Sequence, residues 1–395
     1  MVSPYDGKIA MPIKKLRVLE MIDDASIGGG QVHVLMLAKH LNREAFEVSI
    51  ACAGQGYLAD EARKLGIEVI PVSMDNRIRL KTFREVTRIF RTSDFDILHT
   101  HGGTAGFWGR IGSFFTGKPI ARIHSYHGMH YLTKNYSFPR RLRMMDQLLL
   151  CLTGKVICVC PSDYRKGLDA GIVSKKKGVI IHYGIEIEKF QTSGQRKALR
   201  SKYGLDESAI VFGNVGRLHI QKGQRYLLEA FQIVKNEHSH ARLWIIGEGE
   251  LKGELEKLAQ DLGIHESMHF LGARTDVHEL LSAIDIFILP SLWEGQPISI
   301  MEAGAAGKSV IATSIDGIAD LLDTEKNALL VPVKDPNALA RAMMRLIEDA
   351  RLRNRLSLSI KATVSESFTA EKMAKEIGDL YQETYSSMKR TLFMP

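Results

Sequence analysis

Glu294 and Glu302 are separated by seven residues, in a stretch that runs Pro290-Ser291-Leu292-Trp293-Glu294-Gly295-Gln296-Pro297 and then turns apolar. An ionised carboxylate only accepts hydrogen bonds, so one held in a loop can grip sugar hydroxyls and one on a helix can take both hydroxyls of a ribose diol. Upstream lies Asn214-Val215-Gly216-Arg217, with Lys222-Gly223 shortly after it. The planar fork of an arginine and the compact charge of a lysine together suit a diphosphate. Near the start, Gly28, Gly29 and Gly30 precede Gln31. Consecutive glycines let backbone N–H groups approach a phosphate or sugar at a helix N-terminus, although the full G-x-G-x-x-G of a dinucleotide site is missing. Each feature also has an ordinary reading: a surface glutamate and a satisfied helical one, a solvated basic loop, a tight turn.

Histidines form another group. His99-x-His101 falls on one face of an extended run, and His124, His127 and His130 crowd the next segment. Such a set could hold a metal, but neutral imidazoles packing or hydrogen-bonding at a cleft floor are the expectation. No metal and no cofactor are expected, since none of these motifs brings an Asp-x-Asp to a diphosphate.

These residues need strands and helices to place them. Apolar, β-rich runs alternate with helix-period segments, the pattern of parallel strands joined by crossover helices. In the first half, strands are predicted at Arg17–Met21, Phe46–Ala53, Ile67–Val72, Ile97–His101, Pro119–His124, Val156–Cys160 and Val179–His182, with helices such as Val32–Leu41 and Phe83–Arg91 between them. The polar, basic stretch from Glu186 to Glu207 carries no strand signal and reads as a boundary. Alternation resumes at Ile210–Asn214, Leu243–Ile246, His269–Leu271, Ile286–Leu289, Val310–Thr313 and Leu329–Val331. A helical tail from about Ala338 breaks near Ser365 and ends in a helix from about Ala370 to Tyr385. The fold class is α/β: two Rossmann-like, doubly wound domains facing a cleft, at 1–186 and 208–368, with a linker at 187–207 and a C-terminal helix, 369–395, returning toward the first domain. Ligands of such sheets bind beyond the carboxyl ends of the strands, so the motifs should meet in that cleft.

Composition agrees. A chain of 395 residues, 45% hydrophobic and 25% charged with a mean hydropathy of −0.07, can bury full cores without disulfides or metals and is not built for disorder. Cys52, Cys151, Cys158 and Cys160 are too few and too unevenly spaced for a disulfide framework. The opening residues have no apolar signal segment, and the most apolar stretch, Leu148–Cys160, is interrupted by Thr153, Gly154 and Lys155, short of the about 20 residues of a spanning helix. A cytoplasmic location is expected, with any membrane contact peripheral. Fifty-three Lys and Arg against 45 Asp and Glu give a net charge of +8, which calls for an anionic partner. Nucleic acid is not expected, since no recognition-helix, RNP or zinc-finger pattern is present.

The run Gly213–Lys222, the stretch Ile246-Gly247-Glu248-Gly249, the stretch Phe270-Leu271-Gly272-Ala273-Arg274-Thr275-Asp276-Val277, and Pro290 through Gly317 resemble, in order and spacing, family-4 retaining glycosyltransferases of the GT-B fold. The resemblance covers nearly the whole chain and implies transfer of a sugar from a nucleotide-diphosphate donor, expected to be UDP-linked. The acceptor would be a hydroxyl of a lipid-linked or saccharide molecule, in the biosynthesis of cell-surface polysaccharide, lipopolysaccharide or glycolipid. It implies that Arg217 and Lys222 hold the donor diphosphate, Glu302 the ribose and Glu294 the transferred sugar, with His127 of Ser125-Tyr126-His127-Gly128 near the anomeric carbon. Gly247 to Gly249 and Gly272 to Arg274 would border the base and diphosphate, and Gly216 would lie beside them. Gly28 and Gly29 would line the phosphates, and the backbone of Gly295, Gln296, Pro297 and Ile298 would approach the sugar. Ser309 where proline is usual, Asp316 in place of a glycine, and His182-Tyr183-Gly184 in place of Asn-Gly depart from the pattern.

Arg217, Lys222 and helix N-termini would stabilise the departing phosphate. No pair of carboxylates suited to double displacement stands out, so same-face attack is the expected course, with the acceptor proton passing to the leaving phosphate. A GT-B epimerase, a phosphorylase and a non-enzymatic basic nucleotide-binding protein are the competing readings. Arg84, Arg88 and Arg91 share one face of a helix preceded by Arg77, Arg79 and Lys81, and Tyr131, Lys134, Tyr136, Phe138, Arg140, Arg141 and Arg143 interleave aromatic with basic residues. Both stretches suit the anionic inner face of the cell membrane.

Overall fold

The computed structural model describes residues 14–74, 79–129, 132, 139–191 and 196–393. The first domain alternates β1 (Leu16–Ile22), α1 (Gly29–His40), β2 (Phe46–Cys52), α2 (Tyr57–Lys64), β3 (Glu68–Pro71), α3 (Leu80–Thr92), β4 (Ile97–His101), α4 (Gly103–Phe114), β5 (Ala121–Tyr126), α5 (Pro139–Cys151), β6 (Lys155–Cys158), α6 (Pro161–Ala170) and β7 (Gly178–Ile180). The second contains α7 (Arg196–Lys202), β8 (Ile210–Val215), α8 (Gln224–Glu237), β9 (Ala241–Ile246), α9 (Lys252–Asp261), β10 (Met268–Phe270), α10 (Val277–Ala283), β11 (Ile286–Leu289), α11 (Ile298–Ala305), β12 (Ser309–Thr313), α12 (Asp316–Ala319), β13 (Leu329–Val331), α13 (Pro336–Glu348) and α14 (Ala350–Ser367). Helix α15 (Ala370–Phe393) completes the chain.

The strand orders are β3-β2-β1-β4-β5-β6-β7 and β10-β9-β8-β11-β12-β13. Neighbours run parallel, with Val18 opposite Ile97 and Ile286 opposite Phe212 where the order reverses. Helices cover both faces, so β4, β11 and β12 are buried along their whole length and read as unbroken apolar or small-residue runs apart from the polar ends of β4. The order reverses between β1 and β4 in one sheet and between β8 and β11 in the other, and the crevice at such a point is where ligands lie.

The boundary stretch is more structured than its polarity suggests. Ile187–Phe190 is a single 3-10 turn, and α7 docks on the second domain through Arg200, whose guanidinium meets Asp285 Oδ2 at 3.2 Å and the Ala209 carbonyl at 2.5 Å. The chain crosses between domains twice, and the crossings pair: Ile185 N donates to Phe368 O at 2.9 Å and Ala370 N to Ile185 O at 3.0 Å. A side chain at Gly184 would begin 2.3 Å from Thr369 O, so the crossings close only over a glycine.

The tail also breaks once more than its hydrophobic pattern shows. Asp349 ends α13 and caps α14, its carboxylate accepting from Leu352 N at 2.8 Å. After the second crossing, α15 returns to the first domain, where Met373, Ala374, Ile377 and Tyr381 pack with Val18, Leu37 and Ile97.

Candidate active site

The basic motif of the second domain is assembled by close backbone approaches. Gly247 has φ of +145°, and a Cβ there would fall 2.0 Å from Gly216 O, so the turns after β8 and β9 touch at glycine. Gly223, with φ of +64°, brings the start of α8 against the Pro290 carbonyl; an added Cβ would sit 2.2 Å from it. The loop after β11 is then tied down by Leu292 N to Gln221 O at 2.7 Å and Gln221 Nε2 to Trp293 O at 3.0 Å.

This clasp sets Lys222 against Glu294, Nζ to Oε1 at 2.5 Å. The same carboxylate accepts from Ser291 Oγ at 2.7 Å and from Gln221 Nε2 at 3.3 Å. Arg217 is exposed and reaches Glu250 at 3.3 Å, while Arg274 pairs with Asp276, Nε to Oδ1 at 2.7 Å. The two arginines therefore lie within short-range ion pairs, while Lys222 is coupled directly to the glutamate of the β11 loop.

Glu302, on α11, is partly buried and accepts no side-chain hydrogen bond that the structure shows among the described residues. Burial pushes its carboxyl up to about 7, only weakly opposed by Lys189. Burial thus favours its protonated form, and donors from a ligand would favour the ionised, accepting one.

The first domain closes over these groups. Gly28 opens α1 with extended backbone that any residue could adopt, so the glycine run is not forced by its dihedrals. Nor is it forced by space at Gly29 and Gly30, where a Cβ would lie in ordinary contact, 3.6 Å from Ile298 Cδ1 and from His127 Cδ2 respectively; the run does lie against both residues. A Cβ at Gly295 would come 3.1 Å from Gly128 Cα and 3.3 Å from Asp163 Oδ2. Tyr183 N donates to Gln296 Oε1 at 2.8 Å, so the Gln296 side chain braces the first crossing while its backbone remains in the loop with Gly295, Pro297 and Ile298. Gly29 thus meets Ile298, Gly30 meets His127 and Gly295 meets Gly128, with Gly28 next in the chain; in the second domain Gly216 lies against Gly247 and Lys222, Lys222 meets Glu294, and Gly249 packs its backbone on Leu218. Gly272, at φ of +70°, lies beside Glu248. A separate cavity of about 350 Å³ at the crossings is lined by His182, Tyr183, Phe368, Lys372 and Glu376.

Beneath His127, His99 and His101 are hydrogen-bonded to their neighbours, while both ring nitrogens of the buried His33 and Nε2 of His124 have no hydrogen-bond partner among the described residues. Glu20, His99 and His101 have their ligand-capable atoms close together, yet His101 Nε2 meets Glu20 Oε2 at 2.7 Å, and Tyr381 hydroxyl donates to Glu20 Oε1 at 2.5 Å. His99 meets Tyr381 Oη at 2.5 Å and Ser125 Oγ at 2.7 Å. Both histidines of His99-x-His101 are thus engaged in buried hydrogen bonds; His130 lies outside the described residues. The chain's Asp94-x-Asp96 sits before β4, at the far end of the sheet, where Asp96 accepts from Arg17 N at 3.0 Å and Asp94 pairs with Lys118 at 2.8 Å.

Residues 27–189 match the family described as Glycosyltransferase Family 4, and residues 195–362 that described as Glycosyl transferases group 1. The chain belongs to the family-4 glycosyltransferases of the GT-B fold. A galactosyltransferase of Escherichia coli, UDP-Gal:alpha-D-GlcNAc-diphosphoundecaprenol alpha-1,3-galactosyltransferase, is 29% identical over 350 residues, covering 86% of this chain and 90% of the relative. The EpsD putative glycosyltransferase of Bacillus subtilis is 26% identical over 87% of this chain and 91% of its own. Anabaena HepE, solved with UDP and glucose, superposes with a TM-score of 0.82 at 20% identity over 93% of this chain and 99% of that one.

Several residues that brace this glycosyltransferase cleft escaped the motif reading. Ser291 and Gln221 brace Glu294, and Tyr183 ties His127 to the loop after β11, yet serine, glutamine and tyrosine carry no spacing signal of their own. Glu20 sits in a strand whose apolar run gave no reason to single it out. Asp316 is answered across the cleft by Lys166, at 2.8 Å.

Proposed function

We propose that this glycosyltransferase moves a sugar from a UDP-linked donor, with retention at the anomeric carbon and without a metal, to a hydroxyl of a lipid-linked or saccharide acceptor. The cell-surface polysaccharide, lipopolysaccharide or glycolipid assembled at the inner face of the cell membrane is its pathway. The Lys222–Glu294 contact at 2.5 Å carries the reading, because a cation suited to a diphosphate and a carboxylate suited to sugar hydroxyls lie side by side at the interdomain cleft. A UDP-linked donor draws support from the E. coli relative, named for UDP-Gal and a diphosphoundecaprenol acceptor, and from HepE, solved with UDP-glucose.

In this mechanism the diphosphate lies against Lys222, Arg217 and the glycine turns, which offset the charge that builds on the leaving oxygen. Glu302 accepts the ribose hydroxyls, and Glu294, braced by Lys222, holds a hydroxyl of the transferred sugar. The acceptor hydroxyl attacks from the face the diphosphate leaves and passes its proton to the departing phosphate. Incubation with a panel of UDP-sugars, with the product anomer assigned by NMR, tests the assignment. An inverted product, a covalent glycosyl-Glu294 adduct, or loss of turnover in chelator would each overturn the corresponding part.

Membrane association rests on the α3–α4–α5 side of the first domain. Phe115 (62% exposed) and Leu148 (73% exposed) project there with Phe114 and Met144, among the exposed Arg84, Arg88, Arg140 and Arg141. Apolar side chains ringed by cations suit an anionic bilayer surface. Arg77, Tyr131, Lys134, Tyr136 and Phe138 lie outside the described residues. No helix among the described residues is long and apolar enough to cross a membrane. Co-sedimentation with anionic vesicles that exceeds that with neutral ones is expected; equal binding would refute this surface.

A further inference from the structure

His127 is held from two sides by a chain of hydrogen bonds that starts in the first-domain core. Glu20 Oε2 meets His101 Nε2 at 2.7 Å; His101 Nδ1 meets His127 Nε2 at 2.9 Å; His127 Nδ1 meets the Tyr183 hydroxyl at 2.5 Å. Tyr183 continues it across the cleft, since its backbone N donates to Gln296 Oε1 at 2.8 Å. The rings of His101 and His127 lie nearly parallel, 11° apart with centroids at 5.1 Å.

The direction of every proton in this chain follows from its first member. Burial opposes ionisation of Glu20, but His99 and His101 outweigh it and hold the carboxyl well below its ordinary range, so Glu20 only accepts. Hence His101 carries its proton on Nε2. Burial pulls His101 down to about 4, leaving it neutral with Nδ1 bare, and a bare Nδ1 must accept from His127 Nε2–H. His127 is neutral for the same reason, burial first and then its histidine neighbours, so its own Nδ1 is bare. Burial also keeps the Tyr183 phenol protonated, and it donates to that nitrogen.

We propose that Glu20, His101 and Tyr183 are positioning residues that hold His127 in its Nε2–H tautomer and fix the Tyr126–Gly128 turn against the donor loop at Gly295 and Gln296. This rests on the glycosyl-transfer reading above, and extends it from the residues at the cleft to those that aim them. The chain runs from a strand of the acceptor-side domain to the loop of the donor-side domain through a residue of the interdomain crossing. Closure of the cleft and the setting of His127 are therefore one event. A ring displaced by about 1 Å costs on the order of 100-fold in turnover when reacting groups must be aligned.

The experiment uses the full chain with 15N-labelled histidine and three variants: Glu20→Gln, Tyr183→Phe and Tyr381→Phe. Tyr381→Phe removes the hydroxyl from the other oxygen of Glu20, weakening the same buried carboxylate without touching the chain to His127. Long-range 15N–1H spectra of the wild type should assign His127 as Nε2–H; an Nδ1–H tautomer would overturn the proposal. Glu20→Gln and Tyr183→Phe should lower kcat by about 10- to 100-fold with the UDP-sugar KM within about threefold. Tyr381→Phe should keep kcat within about threefold of wild type even if its melting temperature drops. Equal kcat losses in all three, tracking stability, or no loss in the first two, would also overturn it. If the wild type transfers no sugar from any UDP-sugar, the functional reading fails, and the tautomer measurement alone decides the hydrogen-bond chain.

Discussion

Glu302 offers the most direct test of the cleft, because its protonation ties stability to ligand binding. Its carboxyl titrates at an ordinary 4.5 in the unfolded chain and at about 7 in the fold. Below pH 4.5 the group is protonated in both states and costs nothing. As pH rises toward 7, the unfolded chain releases a proton that the folded chain still holds, so stability falls, and the deficit is complete above 7. At about 1.4 kcal/mol per pH unit, the gap between these two values amounts to roughly 3 kcal/mol. Glu302→Gln keeps the shape and cannot ionise. Urea unfolding should therefore find the variant more stable than wild type by roughly 3 kcal/mol at pH 8 and indistinguishable near pH 4.5. UDP supplies the second readout. Ribose hydroxyls donating to Glu302 stabilise its ionised form, so UDP binding near pH 6.5 should release a proton, seen as a buffer-dependent enthalpy in calorimetry. The Gln variant should show no such release and much weaker binding. A stability difference that stays flat with pH, or UDP binding without proton release in the wild type, would refute the assignment.

Three further outcomes follow from the geometry. Lys222→Ala should lower turnover by about 100- to 1,000-fold in a steady-state assay while leaving the melting temperature within a few degrees, since it removes the cation facing the leaving group. Gly247→Ala should destabilise the second domain by at least ~1–3 kcal/mol in urea unfolding, because the backbone there is at φ of +145° and the added Cβ meets Gly216 O. Asp349→Ala should cost about 1 kcal/mol by the same measurement, through loss of the α14 cap, with turnover unchanged.

The sheets were legible because buried parallel strands must be apolar on both faces, and runs such as Ile286–Leu289 announce themselves. The β5 strand shows the limit: it was expected at Pro119–His124 but spans Ala121–Tyr126, since Ile97 pairs with Ala121 and partner register, not local apolarity, sets the start. The α13–α14 break was hidden for a similar reason, as one aspartate within a helical pattern marks a cap only when its carboxylate turns onto Leu352 N. At the cleft, Lys222 and Glu294 could be named from residue type and spacing. The partners that aim them could not, because Ser291, Gln221 and Tyr183 become informative only after the β8 and β11 loops are brought together.

The two interfaces between the domains differ in kind, and the difference bears on how donor and product exchange. At the crossings, Ile185 and the 368–370 segment share backbone hydrogen bonds packed over Gly184, a joint that can flex but has no alternative partner to slide to. Across the cleft, polar contacts join the domains: Lys166 with Asp316 at 2.8 Å, Arg165 with Asp320 at 3.5 Å, and Ser162 N donating to Asp320 at 2.7 Å. The Lys166–Asp316 pair is solvent-exposed and worth about 0–1 kcal/mol, and Asp320, which follows α12 and whose carboxylate meets the N-terminus of α6, adds a contribution of similar order. Water can replace each of these contacts on opening, whereas the Ile185 pairing would leave buried backbone groups unpaired. Asp316 is thus one of the polar contacts that join the two sides of the cleft. The Glu20–His101–His127–Tyr183 chain adds a third, buried connection, and on the proposed reading it is the one that also positions His127.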